Sequence, residues 1–214
     1  MNILTAAIKF PPLESASEDG LLAVGGDLSV ARLLMAYQSG IFPWYENGQP
    51  ILWWSPDPRM VLKIADFKVS KSLRKVIRSE IFTVTFNQEF SKVIKHCASV
   101  KRDGQAGTWI TSDMMEAYQK LHQLGHAISF EVWQDNSLVG GGYGVDLPDK
   151  KVFCGESMFS LKSNASKVGF AALAANLASK NYRFIDCQVY TEHLARFGAK
   201  EVDRILFIKW LNAS

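Results

Sequence analysis

The sequence predicts a mixed α/β protein of the α+β kind, with a small N-terminal domain and a larger C-terminal domain. At 214 residues, with 48% hydrophobic and 21% charged residues, the chain can bury a sizeable core. Its first part is rich in Pro, Gly and aromatic residues, and after Pro58 the sequence alternates between strand-like and helix-like patterns. We therefore place the domains at residues 1–58 and 59–214.

The N-terminal domain is predicted to be rich in loops and held together by aromatic packing. One helix is expected from Val30 to Ser39, with Ser29 as its cap and Gly40 as its stop. The tryptophans Trp44, Trp53 and Trp54 fit either a core or a flat stacking surface for a nucleobase.

Strands and helices alternate in the C-terminal domain. Helices are predicted at 70–79, 88–98, 113–124, 165–180 and 192–196, and strands at 60–64, 81–86, 126–133, 137–145, 151–159, 183–189 and 205–210. Three of those strands follow one another directly, and the first two are joined by the turn-like segment 134–136. This succession predicts an antiparallel meander at the centre of the domain.

The composition argues against several classes of protein. The first residues lack the pattern of a secretory signal, and no run approaches the roughly 18 apolar residues of a membrane span. Three widely spaced cysteines without a Cys-x-x-Cys pair favour a reducing cytoplasm over a disulfide framework or a zinc site. The four histidines lack metal spacing, and no Walker sequence or nucleophile elbow occurs. We expect neither a metal nor another cofactor.

Positive charge is concentrated in one segment. Residues 63–103 hold ten Lys/Arg and four Asp/Glu, whereas residues 1–62 hold three Lys/Arg and six acidic residues. Four cations, Lys71, Arg74, Lys75 and Arg78, follow helical spacing on one face, with Leu73, Val76 and Ile77 expected to face the core. A solvated face is one interpretation, and a binding surface for a nucleic-acid backbone is the other.

Polar side chains interrupt two apolar, strand-like runs. Asp186 and Gln188 lie two residues apart, so period-two alternation would place them on the same side of one strand, and Glu156 interrupts the other run. Buried polar groups need partners, so these residues are either satisfied core groups or parts of a site. The helix face formed by Phe170, Leu173 and Leu177 is either core or one wall of an apolar pocket shared with Ile185.

Many short motifs along nearly the whole chain carry a resemblance to one family. They lie at residues 20–29, 31–37, 40–44, 51–59, 107–111, 116–118, 124–127, 153–160, 164–167 and 185–189. On these motifs the sequence resembles the leucyl/phenylalanyl-tRNA–protein transferases of bacteria. The resemblance implies transfer of Leu or Phe, and Met less well, from tRNA to the α-amino group of proteins that begin with Arg or Lys, which are then degraded through the N-degron pathway. It also implies a C-terminal domain of the acyl-CoA N-acyltransferase (GNAT) type.

The family's site residues match individual positions of this sequence. By resemblance, Asp186 and Gln188 are the catalytic pair, and we interpret Gln188 as orienting the amine while Asp186 holds its amide and offsets the ammonium charge. Trp44 and Trp109 receive the 3′-terminal adenosine and the adjoining aminoacyl group, with Glu156 making a polar contact there.

The resemblance also implies a substrate pocket and a tRNA surface. The pocket for the aminoacyl side chain is matched by Gly142, Gly155, Phe170, Leu173, Leu177 and Ile185. Familiar members of the family are expected to carry a larger side chain, such as Met, where this sequence has Gly142. The cationic helix face at Lys71, Arg74, Lys75 and Arg78 corresponds to the family's basic patch for tRNA. The partners expected are aminoacyl-tRNA and the acceptor protein, with no membrane, and we expect a monomer.

Two other functions remain open at this point. An acetyl-CoA-dependent N-acetyltransferase would share the fold, but the usual pyrophosphate-binding loop is absent before the helix that follows Asn164. A non-catalytic RNA-binding protein would need the cations and tryptophans, but it has no use for Asp186 and Gln188 together on a strand.

Overall fold

The computed structural model describes residues 2–100 and 108–213, which form two β-sheets and the helices packed on them. The N-terminal sheet has the strand order β1-β2-β4-β3. Its strands are β1 (Asn2–Leu4), β2 (Leu21–Gly25), β3 (Phe42–Pro43) and β4 (Leu52–Trp54). This region therefore holds more regular structure than its loop-like composition predicts, because the short strands pair across long connections.

The larger sheet has seven strands in the order β11-β5-β10-β9-β8-β7-β6. They are β5 (Arg59–Lys63), β6 (Thr83–Phe86), β7 (Ala127–Gln134), β8 (Ser137–Leu147), β9 (Val152–Ser160), β10 (Phe184–Gln188) and β11 (Lys200–Val202). β7, β8 and β9 form the predicted antiparallel meander, and β10 returns parallel to β9. The mixed α/β class, with a small N-terminal sheet and a larger C-terminal one, is confirmed.

Seven helices lie in the described residues. They are α1 (Val30–Gln38), α2 (Lys71–Arg78), α3 (Phe90–Ser99), α4 (Ser112–Gln123), α5 (Ala165–Ser179), α6 (Glu192–Ala195) and α7 (Arg204–Asn212). Ser29 caps α1 as predicted, since its side chain accepts from the backbone N–H of Arg32. α4 is capped by Thr111 rather than Ser112.

The last element is a helix, and the prediction of a strand at 205–210 is wrong. The run Ile-Leu-Phe-Ile-Lys-Trp is almost continuously apolar, so its periodicity does not distinguish a strand from a short helix. In the structure α7 buries Phe207 and Leu211, four residues apart on one helical face, and leaves Ile205 83% exposed.

One hydrophobic cluster joins the two sheets. It runs from Leu33 and Trp53 in the N-terminal region to Val61, Tyr143 and Phe207 in the C-terminal region. α7 packs directly on the turn after α1, where Gly40 has a φ of +76°. A Cβ atom at Gly40 would lie 2.6 Å from Ile208 Cδ1, so this close approach requires glycine. The boundary placed between residues 58 and 59 stays a prediction.

Within the described parts of the chain, none of the helices has the length and apolar character needed to cross a membrane.

Candidate active site

A cavity opens where the larger sheet splits. β9 and β10 pair in parallel only as far as Asp186 opposite Cys154. Beyond that point β9 continues along β8, whereas β10 departs through a bulge. The cavity between them has a volume of about 650 Å³, which lies in the range of sites for small organic groups.

The cavity brings together eight of the eleven residues predicted for the catalytic and aminoacyl sites. Those on its wall are Trp44, Trp109, Gly155, Glu156, Phe170, Leu173, Ile185 and Gln188. Asp186, Gly142 and Leu177 lie behind the wall instead, all of them buried. The residues named from the motifs therefore converge in space, although three of them can affect the cavity only through their neighbours.

The backbone at Gln188 departs from regular strand geometry. The pairing of β10 with β5 shifts between Asp186 and Gln188, and Gln188 has a φ of +64°. Its backbone N–H donates to Asp186 Oδ1 at 3.0 Å, which holds this left-handed conformation in place. The bulge breaks the alternation expected from the sequence, so the two side chains do not face the same surroundings.

Asp186 forms a buried ion pair with Arg59, the first residue of β5. Arg59 Nε donates to Oδ1 at 2.8 Å and Nη2 donates to Oδ2 at 2.7 Å. Rings of Phe42 and Phe207 lie 4.8 and 4.7 Å from the guanidinium carbon. The expected contact between Asp186 and the side-chain amide of Gln188 is not made, because Arg59 and the main chain occupy the carboxylate.

Glu156 accepts the hydrogen bond from the side-chain amide of Gln188. Gln188 Nε2 donates to Glu156 Oε1 at 2.8 Å, and the hydroxyl of Tyr37 donates to the same oxygen at 2.7 Å. The hydroxyl of Tyr118 lies 3.1 Å from Oε2 and also contacts the hydroxyl of Tyr37. Burial raises the pKa of Glu156 to about 8, against the lowering effect of these hydrogen bonds.

The aminoacyl pocket differs from the predicted one at position 142. A Cβ atom there would lie 2.7 Å from both Met158 Cγ and Phe130 Cζ, so Gly142 leaves room for these two side chains. Met158 and Phe130 both line the cavity. The glycine therefore does not enlarge the cavity, since Met158 and Phe130 fill the space that a larger side chain at 142 would take.

Two tryptophans stand on the cavity wall. Trp44 is 37% exposed, and its ring centroid lies 6.0 Å from that of Trp54. Trp54 Nε1 donates to the backbone oxygen of Trp44 at 2.7 Å, which fixes the main chain there. Trp109 is partly exposed and follows residues 101–107, which lie outside the described residues together with Gly107 of the 107–111 motif.

The four predicted tRNA contacts lie on α2 and are all exposed, at Lys71, Arg74, Lys75 and Arg78. Leu73 anchors the helix in the core, and Ser70 caps its start. The expectation that Ile77 faces the core is wrong, because it is 40% exposed. α2 packs against α5, the helix that supplies Phe170 and Leu173 to the cavity.

Three important partners were missed from the sequence. Arg59 could have been found, because a cation at the start of the apolar run 60–62 needs a carboxylate partner when the strand is buried. Tyr37 and Tyr118 could not have been found, since each lies on the buried face of an amphipathic helix, where a tyrosine is predicted to be a core residue.

The fold and the site define a mixed α/β protein with an apolar cavity beside a parallel strand pair and with an amide and a carboxyl group on its wall, an arrangement compatible with acyl transfer. The sequence comparisons give the particular family. A profile described as "Leucyl/phenylalanyl-tRNA protein transferase" matches residues 61–212, and one for the N-terminal domain of the same family matches residues 26–57. The chain belongs to this family of aminoacyltransferases.

Curated relatives match along the full chain. A leucyl/phenylalanyl-tRNA–protein transferase of Christiangramia forsetii is 60% identical over 99% of this chain and 100% of its own. One of Flavobacterium psychrophilum is 56% identical over 99% of each chain, and one of Flavobacterium johnsoniae is 55% identical over 100% of each. These identities confirm the family resemblance drawn from the motifs. They favour it over an acetyl-CoA-dependent N-acetyltransferase and over a non-catalytic RNA-binding protein.

Two solved structures are distant matches. L-PGS from Bacillus licheniformis has a TM-score of 0.44 at 12% identity, covering 81% of this chain and 57% of that one. A GCN5-related N-acetyltransferase from Kribbella flavida has a TM-score of 0.41 at 10% identity, covering 84% and 63%.

Proposed function

We propose that the protein transfers Leu or Phe, and Met less well, from aminoacyl-tRNA to the α-amino group of proteins that begin with Arg or Lys. The product enters the N-degron pathway, and the enzyme acts in the cytoplasm as a monomer. The observation that carries this proposal is the cavity of about 650 Å³ beside β10, whose apolar wall ends at the polar pair Gln188 and Glu156.

The apolar part of the cavity suits a Leu or Phe side chain. Phe170, Leu173 and Ile185 form one side, and Phe130 and Met158 form another. Burying such a side chain releases about 1.5–3 kcal/mol, and each methylene that fails to fit costs about 1–3 kcal/mol of selectivity. Discrimination against β-branched residues then depends on shape, which Met158 can adjust because its side chain is flexible.

The reaction needs no external energy source. The amine nitrogen attacks the carbonyl carbon of the aminoacyl ester, a C–N bond forms, and the bond from that carbon to the 3′ oxygen of tRNA breaks. One proton of the neutral amine ends on the leaving oxygen, so atoms and charge balance. The enzyme contributes mainly alignment, which is worth up to about 7–11 kcal/mol for well-placed reactants.

We assign different roles to Gln188 and Asp186. Gln188 touches the cavity and orients the amine through its side-chain carbonyl oxygen, since a neutral amide is a poor base but a good acceptor. Asp186 is buried and paired with Arg59, so it acts as a positioning residue that holds the backbone of Gln188. This assignment replaces the direct contact with the amide that the sequence suggested.

The tRNA is bound at two places in this proposal. Trp44 and Trp109 stack on the 3′-terminal adenosine, a contact worth about 1–3 kcal/mol per base. The four exposed cations of α2 neutralise phosphates of the tRNA, which releases counterions.

Transfer itself is tested with labelled Leu on charged tRNA and a peptide that begins with Arg, in the absence of ATP. We expect labelled peptide to form. A matched peptide that begins with acetylated Arg is the control, because it lacks the attacking amine. No product from the free peptide, or equal product from both, would contradict the proposal.

The α2 surface is tested by replacing Lys71, Arg74, Lys75 and Arg78 with Ala together. The slope of log binding constant against log salt should fall by about 3, because four phosphate contacts are lost. A control variant that replaces four other exposed lysines, Lys9, Lys120, Lys200 and Lys209, makes the same change in net charge. Equal slopes for the two variants would show that the four cations of α2 are only solvated and do not contact tRNA.

A further inference from the structure

Three oxygen-bearing side chains meet behind the amide of Gln188. Tyr37 from α1, Tyr118 from α4 and Glu156 from β9 each contact both of the others. We call this group the Tyr37–Tyr118–Glu156 triangle. Both tyrosines are fully buried, at 1% and 0% exposure, and they lie 81 residues apart in the sequence.

The number of protons that the triangle needs determines the protonation state of the Glu156 carboxyl group. Three oxygen–oxygen contacts require three protons, and the two phenol groups supply two. With Glu156 ionised, one of the contacts would place two oxygens together without a proton between them, which is costly where water is excluded. A protonated Glu156 supplies the third proton, and the raised pKa of this carboxyl group agrees.

The position of that third proton follows from the acceptors. Oε1 of Glu156 already accepts from Tyr37 and from Gln188 Nε2. The proton of the carboxyl group therefore lies on Oε2. It reverses the hydrogen bond that the Tyr118 hydroxyl donates to an ionised Oε2, and Tyr118 then donates to Tyr37. Gln188 must then turn its NH₂ group to Glu156, and among the described residues nothing donates to its carbonyl oxygen.

We propose that Tyr37 and Tyr118 are positioning residues for aminoacyl transfer, which keep the carboxyl proton of Glu156 on Oε2 and thereby aim the carbonyl oxygen of Gln188 at the acceptor amine. This inference rests on the proposed function. Without the two hydroxyls the carboxyl proton moves freely to Oε1 and donates to the amide oxygen. The amide then turns over and presents its NH₂ group to the N–H bonds of the incoming amine, which cannot accept them.

Other ionisable groups surround the triangle. Asp186 on β10 lies behind it and disfavours a second negative charge, while Arg59 on β5 neutralises Asp186. Cys154 on β9 and Tyr143 on β8 complete the surroundings, and burial keeps the pKa of the Cys154 thiol well above its usual value. In the part of the chain that the structure describes, Glu156 forms no salt bridge with a cation.

The test compares Tyr37→Phe and Tyr118→Phe with Tyr182→Phe. Tyr182 is a matched control, since it is a buried tyrosine whose hydroxyl donates to a carboxylate, Asp146, at 2.6 Å, outside the cavity wall. For the first two variants, the transfer rate at saturating peptide should fall about tenfold to a hundredfold. Their KM for charged tRNA should stay within about twofold, because the binding contacts remain. The control should keep the rate of the unaltered protein.

The outcomes separate this inference from the function on which it rests. No transfer by the unaltered protein contradicts the proposed function. Normal rates for both variants, a change in KM alone, or an equal loss in Tyr182→Phe overturns the role of the tyrosines. Where a variant does not fold, the unaltered protein with ¹³C-labelled glutamate carboxyl groups decides, with the Glu156 signal assigned by its loss in Glu156→Gln. A protonated carboxyl at pH 7 supports the proposal, and an ionised one overturns it.

Discussion

The two carboxyl groups next to Gln188, those of Asp186 and Glu156, are stabilised in the protein interior in different ways. Asp186 has a cation beside it, with both oxygens bonded to Arg59 and one also bonded to the backbone N–H of Gln188. Glu156 has no cation in contact among the described residues, and its partners are two phenols and an amide. Asp186 is therefore held as a charge, whereas the pKa of Glu156 is raised to about 8.

The difference explains why the two groups have different tasks. A charged, paired carboxylate is rigid, so Asp186 can hold an unfavourable backbone conformation at Gln188. A neutral carboxyl group has a donor and an acceptor side, so Glu156 can set the direction of an amide. The main chain of Gln188 is thus fixed by one carboxyl group and its side chain by the other.

The largest effect should come from breaking the ion pair. Arg59→Met leaves Asp186 buried without a cation, which should lower the free energy of unfolding by about 3–5 kcal/mol. Urea denaturation at pH 7 measures this loss. Lys63→Met on the same strand is the control, since Lys63 is exposed and lies over the Trp210 ring, and it should cost less than about 1 kcal/mol. Equal losses in the two variants would show that Asp186 does not depend on Arg59.

A smaller effect should follow from removing one of the rings beside Arg59. Phe207→Leu keeps an apolar side chain in the core but removes the ring face that lies 4.7 Å from the guanidinium carbon. The expected loss is about 1–2 kcal/mol in the same denaturation experiment. A loss as large as that of Arg59→Met would mean that the rings, more than Asp186, hold the guanidinium.

The third effect is of a different kind, a change in the pH dependence of stability at Glu156. A carboxyl group whose pKa is raised from 4.5 to about 8 binds a proton on folding, so its contribution is present below pH 4.5 and is lost as pH rises to about 8. Glu156→Gln keeps the hydrogen-bonding shape of the protonated group but does not titrate. The stability of the unaltered protein should therefore fall relative to this variant between pH 5 and pH 8. If the curves of stability against pH were parallel for the two proteins over that range, Glu156 would be ionised in the folded protein and its pKa would not be raised.

The sequence predicted the middle of the molecule better than its end. The meander has polar turns between largely apolar strands, so local patterns predict β7, β8 and β9 even though β8 holds four glycines. The segment at α7 is apolar nearly throughout, and only its packing on Gly40 and Arg59 selects a helix. Tertiary contacts of this kind leave no trace in local periodicity.

The residues predicted from motifs lie on or just behind the cavity wall, whereas the side chains that hold Glu156 and Asp186 in place were not predicted. The motifs are short stretches of sequence, and eight of the positions taken from them line the cavity. The support comes from residues 119 and 127 positions away, Tyr37 for Glu156 and Arg59 for Asp186. Their roles depend on the bulge at Gln188 and on how three helices meet the sheet, which a single sequence does not specify.

The contact between Phe207 and Arg59 has a consequence for biosynthesis. Arg59 is translated early, but its carboxylate partner follows 127 residues later and the second ring arrives only with α7. Until α7 has packed on the sheet, the guanidinium of Arg59 therefore lacks one of its two aromatic neighbours, and the support of the bend at Gln188 is incomplete.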